Sequence, residues 1–359
     1  MSNRSLAVDW SHLVQAPPLL IGAVFNLCTN CLLIDLLRHT RSTPGSLRLL
    51  LSSGLLCQTL LSLMFIECPV YVLLSRLFGG YEALQVSARL CTVLTCHYPS
   101  AGIGSFTALG TVACERMMAY RECYEQGSRA VSKFLLLFGW SVGVHCGCVL
   151  PIAFPQPEPV LFCHPFLAMH PVLARVEVIF CLATPIGTML LFLTVYSRSR
   201  SSYSQLAINQ ALTGVLRRRW QLHHCNRSIQ ALLPVAVLQI CTVVPVLFVW
   251  ALFLQINNHP TNTEISAFVF GNFGMLVYSV LSPLLILKRH ENLQKTLLRR
   301  HPRIGRKLAK FGLIASLSER PTAYSLDEQV NLGDETIVNF HAEPQEAQLL
   351  WEQFWTKPT

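Results

Sequence analysis

Charged side chains are scarce in this sequence. Asp, Glu, Lys and Arg make up 13% of the 359 residues, whereas 52% are hydrophobic and the mean hydropathy is +0.43. So few charged side chains cannot cover a soluble globule, and the composition therefore indicates a membrane protein. The first sixteen residues also lack the basic start, apolar middle and small-residue cleavage site of a signal peptide. We therefore expect the first span to insert by itself.

Three further absences argue against other classes of protein. The basic residues do not share one face or stripe, so the net charge of +9 does not indicate nucleic-acid binding. No internal repeat is visible, which argues against a secondary transporter built from repeats. The apolar runs hold no His and Asp cluster at the spacing of a metal or catalytic site, which argues against an intramembrane enzyme and predicts no metal. A transporter or a non-signalling seven-helix membrane protein remains the alternative to a receptor.

Seven apolar runs follow one another along the chain, and each is longer than the ~20 residues that a spanning helix needs. They cover residues 13–37, 47–74, 90–117, 131–154, 172–196, 228–254 and 265–287. Pro155, Pro157 and Pro159 end the fourth run, because no helix tolerates proline at that density. The sequence thus predicts an all-α membrane protein with a seven-transmembrane helix bundle over residues 13–287.

Most basic residues lie in loops on one side of the predicted bundle. That side carries Arg38, Arg41, Arg48, Arg116, Arg121, Arg129, Lys133, Arg198, Arg200, Arg217, Arg218, Arg219, Arg227 and nine further basic residues between Lys288 and Lys310. By the positive-inside rule this side is cytoplasmic, and residues 1–12 are an extracellular N-terminus. We therefore expect a multi-pass protein of the plasma membrane, in which Asn3 of Asn3-Arg4-Ser5 is a candidate glycan acceptor.

The chain after the seventh run divides into two parts. Residues 288–310 are basic, and residues 291–300 place three leucines on one side, which predicts a short amphipathic helix on the inner leaflet. Residues 311–359 hold eight acidic and two basic residues and are predicted to form a disordered acidic cytoplasmic tail. Asp35, near the same side of the membrane, is expected to pair with Arg38.

The third run is predicted to be the central helix of the bundle. From Cys91 to Arg116 it advances 25 residues, or roughly 37 Å as a helix, so the two ends lie near opposite faces of a bilayer. Its small residues allow neighbouring helices to approach closely. They are Ser100, Gly102, Gly104, Ser105, Gly110 and Ala113.

Cys91, at the outer end of this run, has a natural disulfide partner in Cys163, which lies in the outer loop before the fifth run. Such a bridge would hold that loop over the mouth of the bundle in an oxidising compartment. Two alternatives stay open at this point. The two thiols can be unpaired, or Cys96, about a turn and a half deeper, can compete for the partner.

Glu115 and Arg116 are adjacent charges at the inner end of the same run. In one interpretation, Arg116 extends to lipid phosphates and Glu115 only balances its charge. In the other, Glu115 holds Arg116 in the resting state and releases it to a cytosolic partner on activation. The spacing from the outer cysteine favours the second interpretation.

Polar side chains within the outer halves of the runs are candidates for ligand contact, because they are unfavourable in the membrane unless they are paired or hydrated. These candidates are Glu67, His97, Tyr98, Glu177, Gln239 and Trp250. Each also has a structural alternative, namely a hydrogen bond between helices or a position in the membrane interface.

The layout of seven runs, an outer Cys91 and Glu115-Arg116 resembles the rhodopsin-like G-protein-coupled receptors. Trp140, Pro151, Pro245 and Pro283 are similar to residues of that family. Gln58, Thr242 and Ser282, which stands before Pro283 in place of the usual Asn, depart from its pattern. The resemblance implies a helix rearrangement that activates a heterotrimeric G protein. The seventh run has no lysine to form a retinal Schiff base, so no opsin and no cofactor are expected.

Three short segments resemble nematode serpentine chemoreceptors of the alpha-type superfamily. They are RRRWQLHHCNRSIQALLPV at residues 217–235, ERMMA at 115–119 and PLLILKRH at 283–290, with His224 and Cys225 departing from the expected Glu-Asn. The resemblance implies a chemosensory receptor for an environmental or pheromonal small molecule, in the sensory cilia of a neuron. Whether two copies form a dimer is left open.

Overall fold

Helices account for nearly all of the computed structural model in the residues that it describes, which are 10–40, 45–78, 87–121, 128–155, 170–208, 213–256 and 262–314. They are α1 (Trp10–His39), α2 (Gly45–Leu77), α3 (Ala88–Thr95), α4 (His97–Tyr120), α5 (Ser128–Val144), a π-helical turn (His145–Val149), α6 (Leu150–Ala153), α7 (Pro171–Ile208), α8 (Thr213–Ile256), α9 (Asn262–Arg289), α10 (Glu291–Arg300) and α11 (Pro302–Lys310). The predicted extracellular residues 1–12 fall largely outside this description, as do Asn3 and the tail from residue 315.

All seven predicted spans are present as helices. Among the described residues, six helices are long and apolar enough to cross a membrane, and they lie in α1, α2, the run from α5 to α6, α7, α8 and α9. The remaining span is α4 together with the short α3, and α4 carries the adjacent charges Glu115 and Arg116. The predicted seven-transmembrane helix bundle is confirmed.

The third span is broken, whereas the sequence predicted one continuous helix. α3 ends at Thr95, Cys96 forms a turn, and α4 begins at His97. Pro99 has no backbone N–H to donate to Thr95, and the next amide, that of Ser100, reaches the carbonyl of Cys96 only at 3.4 Å. The missing hydrogen bond explains why the helix is interrupted one turn before its proline.

α4 is the central helix of the bundle, as its small residues predicted. It packs against α2, α5, the π-helical turn, α7 and α8, while α1 and α9 close the ring on the other side of α2. Its glycines allow close approach: an added Cβ at Gly104 would lie 2.8 Å from the sulfur of Cys57 on α2. We call the two ends of the bundle the Cys91 end and the Arg116 end, after the residues that α3 and α4 place there.

A π-helical turn interrupts the fourth span, which was not predicted from the sequence. In this turn Gly147 lies directly against α4, so that an added Cβ would be 2.2 Å from the backbone nitrogen of Ser100. Gly143, one turn earlier, also faces Ser100, at 3.0 Å from its carbonyl oxygen. Gly143 and Gly147 thus allow the fourth helix to contact the backbone of the central helix directly.

α7 and α8 extend well beyond the predicted ends at residues 196 and 228, and they do so at the Arg116 end. Their polar extensions bond to other helices. Tyr120 Oη on α4 lies 3.1 Å from Ser202 Oγ, and Ser199 on α7 donates a hydrogen bond to Asn226 on α8. The predicted boundaries were too short because they followed apolar composition, whereas these segments are held by side-chain contacts between helices.

The predicted amphipathic helix at residues 291–300 is confirmed as α10. Leu293 and Leu297 are fully buried, and the helix packs against α1 and α9. Gln294 caps the end of α9, because its Nε2 donates to the carbonyl oxygen of Lys288 at 2.6 Å. The chain divides into two compact units after Pro302, so most of α11 belongs to a separate unit.

Asp35 joins α1 to the end of α10, and it does not pair with Arg38 as expected. Its Oδ2 lies 3.3 Å from Arg300 Nε and 3.2 Å from His301 Nε2, and His39 Nδ1 lies 3.4 Å from its Oδ1. All these groups are partly exposed, so each contact contributes at most about 1 kcal/mol. Together they fasten the C-terminal end of α10 to α1.

Asp35→Asn is expected to loosen α10 without unfolding the bundle, because it removes the carboxylate that binds Arg300 and His301. Hydrogen–deuterium exchange should become faster in residues 291–301 and remain unchanged in α4. Arg38→Gln is the matched control, since it changes a neighbouring exposed charge on α1. Equal exchange in the Asp35 variant and the wild type would contradict the assigned role.

Candidate functional site

A narrow cavity lies between the central helix and α2, α7, α8 and α9. The room that it leaves for water-sized molecules is about 20 Å³, within about 350 Å³ of space between atoms that includes the open surroundings. The residues that line it are Leu61, Met64, Tyr98, Pro99, Gly102, Ile103, Phe106, Glu177, Cys181, Leu247, Trp250 and Met275. Three of the predicted ligand contacts, Tyr98, Glu177 and Trp250, are thus brought together from three different helices.

Glu177 is the acidic group of this cavity. Its side chain is 4% exposed, and neither carboxylate oxygen has a hydrogen-bond partner. A buried carboxylate without a partner is strongly unfavourable, so its presence in a folded protein calls for an explanation. Cys181, one helical turn later on α7, lines the same cavity and shows that this face of α7 points into it.

Glu67 and His97 do not line this cavity. They lie against each other, with Glu67 Oε1 3.1 Å from His97 Nε2, and their side chains are 50% and 29% exposed. The pair joins α2 to the first residue of α4, beside the break at Cys96. A role of this pair in ligand binding stays a prediction.

Two further buried polar residues, Asn272 and Gln239, lie on α9 and α8, and only Gln239 was predicted from the sequence. Asn272 on α9 is buried and accepts a hydrogen bond from Tyr98 Oη at 3.4 Å, and it was missed because α9 offered no pattern that distinguished it. Gln239 on α8 was a candidate, but it does not line the cavity, and both of its amide atoms are buried without a hydrogen-bond partner.

Glu115 and Arg116 form a buried ion pair at the other end of α4. Arg116 donates from Nε to Glu115 Oε2 at 2.5 Å and from a terminal nitrogen to Oε1 at 2.6 Å, and both side chains are at most 3% exposed. Ser46 on α2 donates to Glu115 Oε1 at 2.9 Å, and Cys225 on α8 contacts the carbonyl oxygen of Arg116 at 3.6 Å. The ion pair is therefore buried where α4 meets α2 and α8, and the guanidinium does not extend to the membrane surface.

A second buried polar cluster surrounds Gln58. Ser282, next to Pro283 on α9, donates to Gln58 Oε1 at 3.0 Å, and Asn26 on α1 donates to Ser62 Oγ at 2.8 Å. Asn30 donates in turn to Asn26 Oδ1 at 2.9 Å. These uncharged side chains join α1, α2 and α9 by hydrogen bonds.

Cys91 is fully buried and takes part in a disulfide bond. Cys163 lies outside the described residues, so the pairing of these two cysteines stays a prediction. Cys96, the alternative partner, is a free thiol that donates a hydrogen bond to the carbonyl oxygen of Val93. Competition by Cys96 is therefore not seen in the structure.

Sequence and fold comparisons agree with this architecture. The family model described as serpentine type 7TM GPCR receptor class ab chemoreceptor matches residues 55–304. The structure is similar to the crystal structure of squid rhodopsin, with a TM-score of 0.61 and 13% sequence identity over 89% of this chain and 98% of that chain. No curated protein matches the sequence.

The likeness to squid rhodopsin shows the fold, a rhodopsin-like seven-helix bundle, and the family that the sequence matches is one of receptors. The resemblance to serpentine chemoreceptors, inferred from three short segments, is confirmed. Because the family model matches more than half of its residues, the chain belongs to the class ab serpentine chemoreceptors, a family of seven-transmembrane G-protein-coupled receptors.

Proposed function

We propose that this chemoreceptor binds a small extracellular molecule in the cavity at Tyr98, Glu177 and Trp250, with Glu67 and His97 at its approach. Binding favours a second helix arrangement, which releases Arg116 to a heterotrimeric G protein. The observation that carries the proposal is that one helix, α4, contributes both to the cavity and to the enclosed ion pair. Tyr98 and Arg116 are 18 residues apart, or ~27 Å along α4.

The proposed orientation rests on the distribution of charge. The Arg116 end carries most of the basic loop residues, so this end faces the cytoplasm and the N-terminus is extracellular. The receptor is then a multi-pass protein of the plasma membrane, and the family suggests sensory cilia as its location. In this orientation Cys91 and Cys163 lie on the oxidising side, where their disulfide forms, and Asn3 is open to glycosylation.

The closed geometry at the Arg116 end supports a resting state. Because the guanidinium is buried where α4 packs against α2 and α8, a G protein reaches it only after the helices at this end move apart. The bidentate pair with Glu115 holds the closed arrangement, since separating two buried charges is unfavourable unless water or a partner replaces the contact. Ligand binding contributes to the release only by favouring the open arrangement.

Arg116→Ala is expected to lower receptor-catalysed nucleotide exchange on a panel of G proteins at least about tenfold, because it removes the group offered to the partner. The assay uses the full chain in lipid nanodiscs. Arg175→Ala, which removes an exposed guanidinium at the Cys91 end of α7, is the control and should exchange as the wild type does. Equal exchange by the Arg116 variant would remove the assigned role of Arg116.

A further inference from the structure

Glu177 places a carboxyl group in the cavity, and the described side chains give it neither a positive charge nor a hydrogen-bond donor. Both carboxylate oxygens are buried and lack hydrogen-bond donors. Among the described residues that line the cavity none is basic. Arg175 is close in sequence but cannot serve as the counterion, because two residues along a helix turn it to the opposite face, where it is exposed.

The rest of the cavity wall suits an organic cation. Tyr98, Phe106 and Trp250 contribute aromatic rings, whose faces attract positive charge, and the other described lining residues are mainly aliphatic or sulfur-containing. A protonated amine with a small apolar substituent would place its N–H groups on the Glu177 oxygens and its substituent among these side chains. Such a ligand supplies both the charge and the donors that Glu177 lacks.

A metal ion fits the same wall poorly. The thiols of Cys146 and Cys181 are near Glu177. In the part of the chain that the structure describes, however, no group of three His, Cys, Asp or Glu side chains is arranged to hold a metal ion. One carboxylate beside aromatic rings is instead the pattern that binds an ammonium group.

We infer that the ligand class of this cavity is the small protonated amines, with the Glu177 carboxylate as the counterion. The inference rests on the proposed function, because it names the chemistry of the molecule that the same cavity would take. The ammonium group pairs with a buried carboxylate in a medium of low polarity, which makes the charge of the ligand decisive for recognition.

The test uses the full chain in lipid nanodiscs, in phosphate buffer free of other amines, with the midpoint of thermal unfolding as the readout. Benzylamine, cyclohexylamine and n-butylamine are the cationic probes, and benzyl alcohol is the uncharged counterpart of benzylamine in size and shape. A molecule that binds only the folded state raises the midpoint in proportion to its affinity. We expect benzylamine to raise the midpoint and benzyl alcohol to leave it nearly unchanged.

Glu177→Gln should weaken the response to the amines about ten- to hundredfold, because it keeps the shape of the side chain and removes its charge. Glu291→Gln is the matched control at the Arg116 end, outside the cavity, and should respond as the wild type does. The inference is overturned if no amine stabilises the wild type, if benzyl alcohol stabilises it equally, or if the Glu177→Gln variant retains the full response.

A second measurement separates a ligand role from a structural one. Without ligand, Glu177→Gln should unfold at the same or a higher temperature than the wild type, since it replaces a buried ionisable group that has no hydrogen-bond partner. A structural carboxylate would instead lower the midpoint when it is replaced. Because neither measurement involves a G protein, amine binding without nucleotide exchange would count against the proposed signalling and leave the ligand class standing.

Discussion

Gly147→Ala is expected to destabilise the folded receptor by about 3 kcal/mol, because the fourth helix has no room for a methyl group at this position. An added Cβ would lie 2.2 Å from the backbone nitrogen and 2.6 Å from the Cα of Ser100 on the central helix. The obstacle is backbone, so a change of side-chain rotamer cannot relieve it. The two helices must move apart, and their shared contacts weaken as they do.

Gly187→Ala is the matched control on α7, since nothing lies within 4 Å of its added Cβ. Alanine favours the helix by up to about 1 kcal/mol over glycine, so this variant should be as stable as the wild type or more stable. The stability of Gly143→Ala should lie between those of the Gly147 and Gly187 variants, because its added Cβ would lie 3.0 Å from the carbonyl oxygen of Ser100. The order of stability can be measured by thermal unfolding of the three purified variants, with tryptophan fluorescence as the signal. A Gly147 variant as stable as the Gly187 variant would contradict the proposed contact.

This contact also shows what the sequence could and could not predict. The small residues of the third run indicated a central helix, and its position is confirmed, since small side chains along a span are needed only where other helices approach. The identity of the partner was not predictable. Gly143 and Gly147 are one helical turn apart in the fourth run, but nothing local to the chain relates them to Ser100.

The acidic candidates illustrate the same limit. Glu67 and Glu177 both lie in the outer halves of apolar runs, and the sequence favoured Glu67 over Glu177 as a ligand contact. The direction in which each side chain leaves its helix decides whether it reaches the cavity. Glu67 is half exposed and contacts His97, whereas Glu177 is buried in the cavity. That direction depends on packing by neighbouring helices, and a nearly uniform apolar run carries little of that information.

Helix ends were predicted well where prolines stop the helix, and poorly where an apolar run continues as a polar helix. The fourth span ends at Ala153, two residues before Pro155, the first of the prolines that predicted its end. α7 and α8 instead continue as polar helices held by neighbours, so the end of the apolar run did not mark the end of the helix. The break at Cys96 has a local signal in Pro99, which lies three residues later and removes one backbone hydrogen bond.

Glu115→Gln is expected to raise nucleotide exchange in the absence of ligand by about 30-fold. In the closed arrangement the change removes the Glu115 carboxylate from the buried Arg116 guanidinium, and breaking a buried ion pair costs about 3–5 kcal/mol. An arrangement in which Arg116 reaches water or a G protein avoids this cost. If about 2 kcal/mol of this cost shifts the equilibrium from the closed to the open arrangement, the open population rises about 30-fold.

Ser46→Ala should produce a smaller rise of the same sign. Ser46 donates one hydrogen bond to Glu115 Oε1, and losing a bond to a charged group weakens the closed arrangement by about 1.5–3 kcal/mol at most. Ser53→Ala is its matched control on α2, since Ser53 accepts a hydrogen bond from Trp140 and lies away from the ion pair. Basal exchange of the Ser53 variant should equal that of the wild type at equal receptor concentration.

The double variant Glu115→Gln with Arg116→Ala distinguishes a released arginine from a generally loosened bundle. If the rise depends on Arg116 reaching the G protein, removing the guanidinium should return exchange to the level of Arg116→Ala alone. If the rise came from loosened packing, the double variant should keep it, because α2 and α8 would still separate. Unchanged basal exchange in Glu115→Gln itself, at normal stability, would show that the buried pair supports the fold and does not restrain the switch.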